Sequence, residues 1–216
     1  MNKVELRRSL LKQRRQMAPE LWRQSSDRLC GNLAAAELFQ QARTILAYFS
    51  IRQEPDLSPL FTHATLSSLK TWGFPRCVSD SLSWHSWSPA DPLPLQTGNL
   101  GIPEPHPEAS QLHADEVDLI LVPAVACDRR GYRLGYGGGF YDRLLSAPEW
   151  RTVPTLGIVF EFAHLTALPA DSWDQPLDGV CTEVGFSSIQ SKNKMEADTP
   201  PPLILSSSIL SDPETN

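Results

Sequence analysis

Val117-Asp118-Leu119-Ile120-Leu121-Val122-Pro123 sets the fold class of this chain. Its apolar residues run on without alternating and stop at a proline. Strands of parallel sheets have this habit because both of their faces are covered. Working outward, Thr155 to Phe160 and Gly179 to Thr182 read as further strands, and Thr44 to Phe49 as a compact one on the N-terminal side. Trp72 to Val78 and Leu82 to Trp87 are two more candidates. Helical patterns lie between and around them. Val4, Leu10, Leu11 and Met17 mark a helix over residues 3–17. Leu21, Trp22, Leu29 and Leu33 mark a second, opened by Pro19 and running to about Phe39. Proline suits a first helical turn, where its missing N–H is not needed. Ser58-Pro59 predicts a short helix over roughly 59–68, and another helical run extends from Phe140 to about Leu145. Residues 88–117, rich in proline and turn formers, read as a long ordered connection. Strands alternating with helices make an α/β class around a central, largely parallel sheet.

The chain has 216 residues, of which 41% are apolar and 20% charged, with 6 Trp and 8 Phe. That is enough to build a core, so a wholly disordered chain is excluded. One domain over 1–186 is expected. Residues 187–216 hold seven Ser and four Pro and no aromatic or glycine, so they read as a mobile tail that cannot bury enough area to offset ordering entropy. The formal charge of −6 argues against a nucleic-acid coat. No apolar run approaches the roughly 20 residues of a membrane helix, and the charged start lacks a secretory apolar region, so a cytoplasmic protein is expected. Cys30, Cys77, Cys127 and Cys181 are widely spaced, which fits buried small residues better than a zinc site or a disulfide scaffold. His63, His85, His106, His113 and His164 show no metal spacing, and the tryptophans at 72, 84, 87, 150 and 173 are expected in the core. Charge is uneven. Residues 1–28 carry eight Lys or Arg against three acids, a balance of +5, which suggests either a solvated amphipathic helix or an anion site.

The chemistry gathers just past the strongest strand, in Asp128-Arg-Arg-Gly131-Tyr-Arg133-Leu-Gly135-Tyr-Gly137-Gly138-Gly139-Phe-Tyr141-Asp142-Arg143. Open α/β sheets bind ligands at that edge. Four glycines in five positions let bare backbone N–H groups surround an anion, and the following helix adds its positive end. Arg133 and Arg143 flank the loop as phosphate partners. The pattern is neither a Walker A loop nor a Rossmann fingerprint. Asp142 would be repelled by a bound phosphate unless Mg²⁺ lay between them, since Mg²⁺ bridges carboxylates and nucleotide phosphates. A second carboxylate is then expected from Asp171, Asp174 or Asp178, among which the spacing does not choose.

The string V-P-x-x-x-x-D-x-x-G-x-R-L-G-x-G-x-G-[F/Y]-Y-D-R at 122–143 resembles the 5-formyltetrahydrofolate cyclo-ligase family, also called 5,10-methenyltetrahydrofolate synthetases. The likeness runs over about residues 3–183. It includes Lys3 and Arg7, Phe49 with Glu54, Gly101-Ile-Pro-Glu-Pro105, Trp173-Asp174 and Leu177-Asp178. The resemblance implies a three-layer αβα sandwich and an ATP- and Mg²⁺-dependent ligase that closes 5-formyltetrahydrofolate to 5,10-methenyltetrahydrofolate. By position it implies that Lys3, Arg7 and the loop Arg133, Leu134, Gly135, Tyr136, Gly137, Gly138, Gly139, Phe140 and Tyr141 bind ATP. It further implies that Phe49, Glu54, Tyr136, Gly137, Gly138, Gly139 and Phe140 contact the folate, that Arg133 and Tyr141 are catalytic, and that Asp142 and Asp174 hold Mg²⁺. A monomer that binds neither nucleic acid nor membrane is expected. Phe140 stands where relatives often have Tyr, Gly138 where they often have Lys, and Pro55-Asp56 follows Glu54 where an apolar and a polar residue are more usual. Rival readings are an enzyme acting on sugar phosphates or coenzyme A esters, and a folate-binding module without turnover.

Overall fold

The computed structural model describes residues 2–62 and 69–189. Its centre is an eight-stranded sheet in the order β13-β12-β10-β7-β1-β2-β3-β6. The middle five strands run parallel: β12 (Gly179–Cys181), β10 (Thr155–Ile158), β7 (Leu119–Pro123), β1 (Thr44–Leu46) and β2 (Thr71–Val78). The edges turn antiparallel, with β13 (Phe186–Ser188) on one side and β3 (Ser81–Ser86) and β6 (Gln111–Leu112) on the other.

Neighbouring residues of the central strands point into two separate cores. Ile45, Leu119, Leu121, Leu156 and Ile158 pack with Leu29 and Leu33 of α2 (Pro19–Ala35), Phe39 of α3 (Glu37–Gln41) and Leu60 and Phe61 of α4 (Ser58–Thr62). Leu46, Ile120, Val122 and Val180 pack on the opposite face with Leu10 of α1 (Lys3–Arg15) and with Leu144 and Leu145 of α5 (Phe140–Ser146). A small sheet of β11 (His164–Leu165), β8 (Ala126–Asp128) and β9 (Arg133–Leu134) joins that second face. This is the αβα sandwich, and the unbroken apolar run of β7 is explained by its place between two buried faces.

Several expectations need adjusting. The second helix breaks at Ala36, whose backbone is extended, so that α3 turns to bury Phe39 against Trp72. Lys70 then closes α3 by donating to the carbonyls of Phe39 and Ala42 (2.7 and 2.5 Å). At the start of α4 it is Asp56, not Ser58, whose side chain accepts the first N–H, that of Ser58 (2.9 Å); the rest of that expected helix, 63–68, lies outside the described residues. The connection 88–117 holds a hairpin of β4 (Gln96–Thr97) and β5 (Pro103–Glu104) as well as β6. The sheet continues past residue 186, because Ser187 and Ser188 pair with Val180 and Gly179. The remainder of the expected tail lies outside the described residues. Cys30, Cys127 and Cys181 are buried, but Cys77 is only half-buried. Trp72 and Trp84 are core residues, whereas Trp87 and Trp150 are half-buried and Trp173 is 66% exposed.

Candidate active site

The strand order reverses beside β1. The chain moves from β1 to β2 on one side and places β7, β10 and β12 on the other. Ligands of open α/β sheets bind at such a switch point, beyond the carboxyl ends of the strands. Here the two chain segments leaving that edge are Ala47–Glu54 after β1 and the glycine loop after β7, β8 and β9. Between them lies a cleft of about 870 Å³. It is lined by Lys3 and Arg7, Phe49 and Glu54, Arg133 through Asp142, and Asp174. Asp171 also lines it, while Asp178 does not. Asp178 instead accepts from the amide and hydroxyl of Thr155 (2.9 and 2.8 Å), joining β12 to β10.

One end of the cleft is cationic. Gly137 and Gly139 have φ of 103° and 70°, in the region where a side chain is strained. Gly139 opens α5 in the left-handed conformation. Arg7 Nε donates to the Gly135 carbonyl (2.7 Å) and so pins the loop to α1. Arg143 donates to the carbonyls of Gly138 (3.0 Å) and Asp80 and braces the far side. Arg133, its side chain 4% exposed, donates from Nη2 to Asp142 (2.6 Å). Lys3 Nζ reaches both Asp171 (2.7 Å) and Asp174 (2.5 Å), and Asp174 also accepts the Asp171 amide (2.8 Å). Burial pushes the Asp174 carboxyl upward, but the Lys3 and amide hydrogen bonds outweigh it and hold it below its ordinary value. Among the described residues, Arg133 Nε and the Tyr141 hydroxyl are buried without a partner. Burial pushes the Tyr141 hydroxyl well up, so it stays a donor across the working pH range.

The other end is apolar and carries one buried carboxylate. Phe49 stacks on Phe74 (centroids 4.2 Å apart) and meets Trp87 and Phe61 edge-on. Glu54 is 2% exposed and accepts from the Tyr136 hydroxyl (2.8 Å) and the Ile51 amide (3.1 Å). Desolvation raises its carboxyl above the ordinary range, and Arg14 and the Tyr136 hydrogen bond oppose that shift. Leu100, Ile102 and Pro103 of the β4–β5 hairpin form the rim.

Among the described residues, no three His, Cys, Asp or Glu side chains come together as a metal cluster. What the cleft offers is separate carboxylates, Asp142 and Asp174, each held by a cation. Oxygen donors few in number suit Mg²⁺, which keeps waters and arrives with phosphates rather than in an all-protein cage.

Sequence reasoning missed Arg14, and it named Asp128 and the hairpin segment 101–105 without giving either a role. Arg14 sits seven residues after Arg7, on the same helical face, and that spacing was available to find it. Fully buried Asp128 accepts the amides of Arg130, Tyr132 and Leu168 (2.9, 3.0 and 2.8 Å), shaping the turn that leads into β9.

Known proteins match at both levels. The sequence profile of the 5-formyltetrahydrofolate cyclo-ligase family matches residues 1–183. A 5-formyltetrahydrofolate cyclo-ligase of Haemophilus influenzae is 36% identical over 85 residues, 39% of this chain and 46% of that one. The enzyme of that name from Mycolicibacterium smegmatis is 31% identical over 192 residues, 84% of this chain and 93% of that one. The NMR structure of Aquifex aeolicus 5,10-methenyltetrahydrofolate synthetase superposes with a TM-score of 0.78 at 33% identity, covering 92% of this chain and 98% of that one. No helix among the described residues is long and apolar enough to cross a membrane. Agreement in sequence along residues 1–183 and in backbone shape along nearly all of the chain supports one conclusion: this chain belongs to the 5-formyltetrahydrofolate cyclo-ligase family.

Proposed function

We propose that this chain converts 5-formyltetrahydrofolate to 5,10-methenyltetrahydrofolate, using ATP with Mg²⁺ and releasing ADP and phosphate, as a cytoplasmic monomer. One observation carries the reading: a single cleft is cationic and glycine-rich at one end, aromatic with a buried carboxylate at the other. A triphosphate suits the first end and a flat pterin the second.

A formamide oxygen is a poor leaving group, so closure of the ring needs activation. The γ-phosphoryl group passes to the formyl oxygen. N10 attacks the activated carbon and loses its proton, and inorganic phosphate departs with the oxygen. Such transfers depend on positioning and charge neutralisation more than on a protein nucleophile. Lys3, Arg7 and the amides of Gly137 to Gly139 bind the triphosphate. The unpartnered donors of Arg133 and Tyr141 supply hydrogen bonds for charge that builds on the transferring group. Phe49 and Tyr136 orient the folate, and Glu54 accepts from it. Asp142 and Asp174 would hold Mg²⁺, which would supply neutralisation of phosphate charge.

The test is to incubate the purified chain with 5-formyltetrahydrofolate, ATP and Mg²⁺ and to follow methenyl absorbance and ADP together. Equal amounts of both support the reading. No methenyl product at any ATP concentration rejects it.

A further inference from the structure

Arg14 is a cation buried to 4% exposure, and the functional reading above gives it no task. Its three donors fan out over three different segments. Nε donates to the Arg52 carbonyl (3.1 Å), Nη1 to the Ala124 carbonyl just after β7 (3.3 Å), and Nη2 to the Tyr136 hydroxyl. A phenol oxygen that accepts from a guanidinium has its own proton free for one other acceptor. For Tyr136 that acceptor is Glu54, at 2.8 Å. Arg14 therefore fixes which way the Tyr136 proton points.

The contact to Arg52 matters for a second reason. Arg52 and Gln53 have φ of 49° and 57°, two consecutive non-glycine residues in the left-handed region. Such backbone is strained and persists only where the surroundings hold it. This strained pair is the turn that delivers Glu54, whose amide bonds back to the Ile51 carbonyl (2.9 Å) and whose carboxylate accepts the Ile51 amide. Arg14 holds that turn from one side and the Glu54 partner from the other. It sits on α1 eleven residues after Lys3 and seven after Arg7, so one helix face spans the phosphate end and the folate end of the cleft.

We propose that Arg14 is a positioning residue for the folate end of the cleft, holding Tyr136 and the 51–54 turn so that Glu54 keeps a single orientation toward the substrate. This rests on the cyclo-ligase reading. The charged and titratable groups around Glu54 are Arg14 from α1, Arg52 from its own loop, Tyr136 from the glycine loop, and the hydroxyls of Tyr48 and Tyr141. Arg14 is therefore the cation from outside the loop that favours the ionised carboxylate.

The test compares wild type, Arg14→Met, Arg14→Lys, Tyr136→Phe and the Arg14→Met/Tyr136→Phe double variant. KM is measured for each substrate, with kcat/KM for the folate followed against pH. Arg14→Met is expected to raise the folate KM about tenfold or more, as loss of a charged hydrogen-bond network does, with the ATP KM within about twofold. The acid limb of its folate profile moves to higher pH, because the cation opposing protonation of Glu54 is gone. Arg14→Lys returns the acid limb toward wild type, since charge is kept while the fork is lost. Tyr136→Phe raises the folate KM in the same direction, and adding Arg14→Met to it costs less than Arg14→Met alone. A folate KM unmoved in Arg14→Met, an equal rise in both KM values, or strict additivity overturns the proposal. Should Arg14→Met fail to fold, unchanged folate KM in both Arg14→Lys and Tyr136→Phe overturns it instead. A wild type that forms no methenyl product sinks the cyclo-ligase reading and this inference together, whereas turnover with unmoved variants sinks this inference alone.

Discussion

Lys3 Nζ lies 2.5 Å from Asp174 Oδ2, joining the first turn of α1 to a loop 171 residues further along the chain. The same ammonium holds Asp171 at 2.7 Å. A basic first helix is thereby fastened across the cleft mouth by the carboxylates next to it. Such a cation can exchange its carboxylates for phosphate oxygens, which leaves the carboxylates free for a metal ion.

Replacing Lys3 with Met is expected to raise the ATP KM about tenfold, because charged contacts to phosphate are the strong ones. The stability cost is expected to stay within about 1 kcal/mol, since the pair is partly exposed and screened. The sign with pH follows from Asp174, which is held below its ordinary value of 3.8 by Lys3. The pair stabilises the fold above that value and loses its effect as pH falls through the lower folded-state value. Thermal melts of wild type and Lys3→Met are thus expected to differ near neutral pH and to converge in strong acid.

Asp142→Asn removes the partner of a guanidinium buried to 4% exposure. A stability loss of about 1–3 kcal/mol is expected from denaturant melts. Activity is expected to fall, and the Mg²⁺ concentration giving half-maximal rate to rise. A Mg²⁺ curve superimposable on that of wild type would exclude Asp142 as a ligand.

Glu54→Gln is expected to separate stability from function. Burial raises this carboxyl above its ordinary 4.5 despite Arg14 and Tyr136. A group raised on folding contributes stability that is complete below its unfolded value and lost as pH rises through its folded one. The ionised form of Glu54 is the one that burial disfavours, so the uncharged amide is expected to raise Tm while weakening folate turnover. Loss of Tm at neutral pH would mean that Arg14 depends on the charge more than burial penalises it.

The layers of the fold were legible because burial on both faces of β7 leaves an unmistakable run of apolar residues, Leu119 to Val122. The glycine loop was legible because bare backbone and flanking arginines have few other uses. Strand order was not legible, since the switch between β1 and β7 depends on which edge each strand joins and no local pattern records that. The β4–β5 hairpin escaped because two-residue strands have no periodicity. The break at Ala36 escaped because alanine is a good helix former, and only the burial of Phe39 dictates the turn there. Asp171, Asp174 and Asp178 could not be ranked by spacing; only the fold sends Asp178 to Thr155 and brings the other two to Lys3.

The proposed hold of the glycine loop on the nucleotide is tested most directly by titrating ATP-Mg²⁺ calorimetrically into wild type and Gly139→Ala. Gly139 has a φ of 70°, and a Cβ there would come within 2.7 Å of Arg143 Nη1. The strain amounts to about 1–2 kcal/mol for any L-residue with a Cβ. If residues 137–139 cradle the triphosphate, the variant binds ATP-Mg²⁺ at least about tenfold more weakly while its melt remains cooperative. Equal nucleotide affinity in the two proteins would place the triphosphate elsewhere.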